Sequence, residues 1–134
     1  MVDIVISIGT DLVHVSGLRE QLARPGAWAD SAFTVRERRR ARRAPDEAEH
    51  LAGRWAAKEA FIKAWAQSRY GAPPLLPRDS FPMSAIEVVA DAYGRVAIEL
   101  HEPVAGAAAG LGEVSLSISH DGDYAIAQCL VARP

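Results

Sequence analysis

The stretch LAGRWAAKEAFIKAWAQSRYG, residues 51–71, constrains this chain more than any other. Wound as a helix at about 100° per residue, it gathers Ala56, Ala57, Ala60 and Ala64 into a band of small side chains, with Phe61 beside it. Another backbone can pack closely against such a band. Trp55, Ile62 and Ala66 make a second apolar strip. The charges fall one turn apart, Arg54 over Lys58 and Glu59 over Lys63. On a solvated face each Glu-to-Lys step contributes about 0.3 kcal/mol and needs no further explanation. Here the charges are wedged between Trp55, Phe61, Ile62 and Trp65. A carboxylate and several cations on a mostly apolar helix are costly unless they pair with one another or with a charged ligand. Periodicity alone leaves the solvated-face and functional-site readings evenly balanced.

At 134 residues the chain is long enough for one modest core, so residues 1–134 are expected to form a single domain. Its 49% apolar and 24% charged content is ordinary for a globular protein. The formal net charge of −2 gives no global attraction to nucleic acid or to an anionic membrane. The single cysteine, Cys129, lies in an apolar run and reads as a buried structural thiol. No leader pattern opens the chain and no apolar run approaches the roughly 20 residues that span a bilayer. A cytoplasmic location is the expectation.

Along the chain, residues 2–8 alternate Val2, Ile4, Ile6 and Ile8 on one side and read as a strand ending at the turn Gly9-Thr10-Asp11. That places Asp11 at a sheet rim, as a ligand residue or as the cap of a helix over residues 13–23. Trp28 and Phe33 look like anchors of a connecting segment. Thr34 and Glu37 form a capping-box pattern opening a second helix, which carries Arg36, Arg38, Arg39, Arg40, Arg42 and Arg43. Phosphate or an acidic protein surface suits such a cluster equally. Asp46 and Glu49 signal the start of the long helix, and Gly71 its left-handed end. Residues 72–84, with four prolines, read as a constrained loop. Residues 86–90 and 96–101 read as strands joined through a loop in which Gly94 suits a positive φ. Residues 103–112 suggest a short helix. The alternating run at 114–119 and the apolar run at 124–131 read as a hairpin turning at residues 120–123. One strand, three helices and a strand-rich half give an α+β fold with an antiparallel sheet.

Three segments, IGTDLV at residues 8–13, GRWAAKEAFIKAW at 53–65 and SLSISHDGDYA at 115–125, together resemble the 4′-phosphopantetheinyl transferases. They are most similar to the short holo-[acyl-carrier-protein] synthase type. The chain has half the length of the longer, two-lobed branch, and Val13 stands where that branch usually places a second acid. The resemblance implies an antiparallel sheet packed on a long central helix, in a single lobe that completes its site by trimerisation. It also implies the reaction: transfer of the phosphopantetheine arm of coenzyme A to a serine of apo acyl carrier protein. That carrier would be free or fused to a fatty-acid or polyketide synthase.

Coenzyme A brings a pyrophosphate and a 3′-phosphate, so its site needs a divalent cation and several fixed donors. Mg²⁺ takes hard oxygen ligands, commonly one or two carboxylates with substrate phosphates. By resemblance Asp11 and Glu59 take the metal and Lys63 the phosphoryl group under attack, where it offsets transition-state charge. Arg54 and Lys58 would take the 3′-phosphate or pyrophosphate oxygens, Arg54 through its planar fork. Ser119 and His120 would contact the nucleotide end, although a histidine at a strand end is more often a turn residue. Either Glu59 or a metal-held water would take the serine proton, and the sequence does not choose between them. The resemblance further implies a homotrimer, no nucleic-acid or membrane partner, and a carrier-docking face drawn from Arg19, Arg24, Arg36 and Arg39. Two other classes compete. One is a non-catalytic module binding nucleic acid or an acidic protein through the arginines of residues 36–43, which leaves Asp11, Glu59 and Lys63 unexplained. The other is a Mg²⁺-dependent phosphotransferase acting on another nucleotide.

Overall fold

The computed structural model describes residues 3–77, 79 and 82–134, and it is built around one long helix. In chain order the elements are β1 (Val5–His14), α1 (Val15–Ala23), α2 (Trp28–Ala32), α3 (Val35–Arg42), α4 (Glu47–Ser68), β2 (Ile86–Ala90), β3 (Val96–Leu100), α5 (Val104–Ala107), β4 (Val114–Asp121) and β5 (Tyr124–Arg133). A 3₁₀ turn, Met83–Ala85, leads into β2 and ends the proline-rich loop, of which residues 78, 80 and 81 lie outside the described set.

The helix boundaries follow from local chemistry. Thr34 Oγ1 accepts from the Glu37 amide while the Glu37 carboxylate accepts from the Thr34 amide, which satisfies two otherwise orphaned donors at the start of α3. Asp46 caps α4 through the Glu49 amide at 3.1 Å, and two glutamates in the first turn complement the helix dipole. Gly71, at φ +87°, turns the chain back just beyond the helix end. The segment from Trp28 to Phe33 is not a plain connection. It forms α2, and Trp28, Phe33 and Trp55 meet edge-on with ring centroids 5.1 to 6.2 Å apart. Such pairs add about 1 kcal/mol beyond the area they bury.

The antiparallel sheet expected on the long helix is three-stranded, ordered β1-β5-β4, and β2-β3 forms a second, separate antiparallel hairpin. The larger sheet lies on α4. Its inner face carries Ser7, Gly9, Asp11 and Val13 from β1, paired with Val131, Cys129, Ala127 and Ala125 of β5. The alanine band on α4 is wholly buried against it. A Cβ on Gly9 would fall 2.0 Å from the Ala60 carbonyl oxygen and 2.5 Å from the Ala64 amide, so only glycine lets strand and helix come this close. Gly9 therefore makes a contact and not a turn. β1 runs straight through Gly9-Thr10-Asp11 to His14, three residues past Asp11, and α1 begins at Val15. Val2 lies outside the described residues.

The other face of the sheet is open. Ile6, Ile8 and Leu12 of β1 are 67%, 52% and 61% exposed, and Ile126 and Leu130 of β5 pair with Leu12 and Ile8 beside them. Cys129 is fully buried, and burial pushes its thiol up to about 12. No helix among the described residues is long and apolar enough to cross a membrane.

Candidate active site

Asp11 lies mid-strand on the inner face of β1, two residues beyond the Gly9 contact, and is directed at α4 rather than set at a sheet rim. Lys63 meets it there. Its ammonium is 3.0 Å from Asp11 Oδ1 and donates to the Thr10 carbonyl at 3.0 Å. Lys63 is half-exposed while the Asp11 side chain is mostly covered. Glu59, one turn before Lys63 on α4, is buried. A strand and a helix locked together by the Gly9 contact thus hold Asp11, Glu59 and Lys63 around one crossing.

Arg54 belongs to a second cluster. At about 100° per residue it lies roughly 180° around α4 from Lys63. It is 8% exposed, and its side chain has no hydrogen-bond or ion-pair partner among the described residues. Burial, and then the nearby Arg40, hold its pKa below the ordinary arginine value, against a smaller pull from Glu37. His120, on β4, rests its ring against Gly53, where a Cβ would come within 2.8 Å of Nε2, and donates to the Glu49 carbonyl at 3.1 Å. Ser119 sits beside it at the edge of a shallow depression bordered by Leu12, Asp121, Tyr124 and Ile126. His50 and Arg40 complete this cluster, and sequence reasoning missed both. His50 falls one turn before Arg54, but a polar residue at a helix start raises no signal, and Arg40 was submerged in the arginine run.

Lys58 corrects the expectation that it reaches a coenzyme A phosphate. It is fully buried, and its ammonium is spent on Glu37 Oε1 at 2.8 Å and on the carbonyls of Ile86 and Met83 at 2.5 and 3.2 Å. Glu37, also buried, accepts in addition from the Thr34 and Val88 amides. Burial lowers the Lys58 pKa and Glu37 opposes that shift. This pair ties α3 and β2 to α4, so its role is structural.

The arginines divide likewise. Arg36 grips Glu87 through two nitrogens at 2.7 and 3.0 Å and reaches Glu99 at 3.1 Å. His101 lies 2.9 Å from the same Glu87. Glu87, Glu99 and His101 could together hold a cation, but the Arg36 guanidinium already supplies the positive charge there. Arg19 makes a two-pronged pair with Asp46, and Arg38 pairs with Asp30. Arg24 and Arg39 are exposed, with side chains unpaired among the described residues. The open cluster available to nucleic acid or an acidic partner is therefore smaller than the sequence suggests.

An acid–lysine crossing lies on one side of the long helix, and an arginine unpaired among the described residues lies with a histidine on the other. Comparison with known proteins gives the family. Residues 7–129 match the family model of the 4′-phosphopantetheinyl transferase superfamily. A holo-[acyl-carrier-protein] synthase of Corynebacterium glutamicum is 56% identical over 131 residues, covering 94% of this chain and 97% of its own. The ACPS–CoA complex from Chronobacterium ammoniagenes superposes with a TM-score of 0.90 at 50% identity, covering 97% of this chain and 98% of that one. The acyl carrier protein synthase of Mycobacterium tuberculosis superposes with a TM-score of 0.77 at 37% identity, covering 98% and 100%. The chain belongs to the 4′-phosphopantetheinyl transferase superfamily, and within it to the short holo-[acyl-carrier-protein] synthase type. It is an enzyme of that type.

Proposed function

We propose that this chain transfers the 4′-phosphopantetheine arm of coenzyme A to a serine hydroxyl of an apo acyl carrier protein, releasing adenosine 3′,5′-bisphosphate, with Mg²⁺ held by Asp11 and Glu59. The observation that carries this reading is the Asp11–Lys63 contact beside Glu59 at the β1–α4 crossing. Two carboxylates there offer the hard oxygen donors that Mg²⁺ takes, and a bound ion would neutralise charge on the pyrophosphate. Lys63 is half-exposed, so its ammonium can turn from Asp11 to an oxygen of the phosphoryl group. In the transfer, a bond forms between the serine oxygen and the phosphorus that bears pantetheine. The bond from that phosphorus to the adenosine bisphosphate oxygen breaks, and the serine proton leaves toward the carboxylates of the crossing. Lys63 offsets the charge that accumulates on the phosphoryl oxygens.

Arg54 and His120 face the other side of α4 and are assigned to phosphate and nucleotide groups, with Ser119 at the rim. Opposite faces of one helix suit a ligand bound between copies. The exposed row of Ile6, Ile8, Leu12, Ile126 and Leu130 supplies an apolar surface for their contact, in support of a homotrimer. Carrier docking is assigned to Arg24 and Arg39, with Arg19 and Arg36 contributing from within their ion pairs. The test is incubation with coenzyme A, Mg²⁺ and apo carrier, followed by mass spectrometry of the carrier. Wild type should add phosphopantetheine to one serine, and Glu59→Gln should not, while melting like wild type. Near-normal turnover in Glu59→Gln would count against the assignment.

A further inference from the structure

Helix α1 has no cap of its own. Its N-cap residue, His14, makes no side-chain capping bond, and no acid stands in its first turn. It spans nine residues, contains Gly17 and buries only Val15 and Leu18. A helix so short and so lightly anchored does not hold its direction by itself. Its cap comes from 107 positions further along the chain. Asp123, in the turn between β4 and β5, accepts from the Ser16 amide through Oδ1 at 3.1 Å and from the Val15 amide through its backbone carbonyl at 2.8 Å. Its other carboxylate oxygen lies 2.7 Å from His14 Nε2. The imidazole held in this way lies over the first turn of α1, where a Cβ on Gly17 would come 3.3 Å from Nδ1, and its ring centroid is 5.4 Å from that of Tyr124. The Ser16 bond above all holds the Asp123 carboxyl below the usual carboxylate range. Near pH 7 it therefore meets the helix as an anion, which the positive end of the helix dipole favours.

This joint connects the two partners of the transfer. α1 carries Arg19 and Arg24 of the assigned docking face, and β1, which runs into α1 at His14, carries Asp11 three residues before that histidine. Arg19 ties the middle of α1 to Asp46 at the start of α4, and Asp123 ties its first turn to the sheet. We propose that Asp123 is a positioning residue: by gripping the first turn of α1 and the His14 ring, it sets the direction in which the docking helix leaves the metal-binding strand, and so where the carrier serine arrives. This rests on the transferase reading above and deepens it. Asp11 itself is fixed independently, by its place opposite Ala127 in the sheet and by the Gly9 contact with α4. Loss of the Asp123 carboxylate therefore leaves metal and coenzyme A in place and misdirects the carrier alone. The lever is long enough to matter. A nine-residue helix is roughly 13 Å long, so a tilt of about 10° at its start carries its far end, beside Arg24, by about 2 Å. A displacement of that size takes a nucleophile out of line with the phosphorus it attacks.

The test measures kcat/KM for apo acyl carrier protein, Kd for coenzyme A by calorimetry, and thermal melting, in Asp123→Ala, Asp123→Asn, and Asp123→Ala combined with His14→Asp. Asp123→Ala should lower kcat/KM for the carrier roughly tenfold, while the Kd for coenzyme A stays within about twofold of wild type. Asp123→Asn keeps an oxygen for the Ser16 amide and should restore most of the loss. In the combined variant an aspartate at the N-cap position caps α1 locally but no longer binds it to the hairpin. Melting should then recover toward wild type while kcat/KM for the carrier stays low. That variant also keeps the test readable if Asp123→Ala alone melts early. Recovery of carrier kinetics together with melting would make Asp123 a helix stabiliser and nothing more, and overturns the proposal. Unchanged carrier kinetics in Asp123→Ala, or an equal weakening of coenzyme A, overturns it too, while the transferase reading stands. Failure of wild type to modify the carrier at all overturns both.

Discussion

Replacing Lys58 with methionine distinguishes a structural lysine from a phosphate ligand. Methionine fills much of the same volume but removes an ammonium that is fully buried and bound to Glu37 and to the carbonyls of Met83 and Ile86. Breaking a buried ion pair by removing one partner costs about 3–5 kcal/mol, because the other charge is left uncompensated. Glu37 keeps its two amide donors from Thr34 and Val88, so the lower end, about 3 kcal/mol, applies. For a chain of this length that corresponds to a fall in Tm of roughly 10 °C. Scanning calorimetry at matched protein concentration measures it. Adding Glu37→Gln removes the stranded charge and should recover part of the loss. Well below the lowered Tm, coenzyme A should bind Lys58→Met within about twofold of wild type. A variant that melts within about 2 °C of wild type but binds coenzyme A tenfold more weakly would refute the structural role and return Lys58 to the ligand.

Gly9→Ala should be among the most damaging single changes, because its methyl would lie 2.0 Å from the Ala60 carbonyl oxygen. We expect a stability loss of about 3 kcal/mol and a larger fractional loss of transfer, since Asp11 is carried away with the strand; a wild-type melt would contradict the close approach. Lys63→Ala should lower kcat by about a hundredfold or more with little change in the KM for coenzyme A. A change in KM alone would make Lys63 a positioning residue. Acid should weaken the fold through Glu87, which Arg36 above all, with help from Thr34 and His101, holds at about 2 against 4.5 when unfolded. A depressed carboxyl stabilises above the unfolded value and loses that contribution as pH falls toward the folded one. Arg36→Gln should therefore lower the urea midpoint more at pH 5.5 than at pH 3, and equal losses would show that the pair does not control the acid limb.

The features set by neighbouring residues were legible in the sequence. The Thr34–Glu37 box, the Asp46 cap, the long helix and the strand alternation at residues 114–131 all depend on spacings of a few positions, and each element formed where expected. What the sequence hid was decided by partners far along the chain. Lys58 reads as a charge on an active-site helix until Glu37 and the carbonyls of Met83 and Ile86 fold around it. Gly9 reads as a turn because glycine in a strand is usually punctuation, whereas here the missing side chain makes room for α4. Strand alternation located the row of Ile4, Ile6 and Ile8 but could not say that it would face outward.

The central claim is that Asp11 and Glu59 grip one divalent ion at the crossing of β1 and α4, and titration with Mn²⁺ in the presence of coenzyme A, read by electron paramagnetic resonance, tests it most directly. Wild type should show one tight Mn²⁺ per chain, Asp11→Asn and Glu59→Gln should lose it, and Glu99→Gln, in the Arg36-bound cluster, should keep it. Tight binding that survives in both Asp11→Asn and Glu59→Gln, or that disappears in Glu99→Gln, would contradict the account.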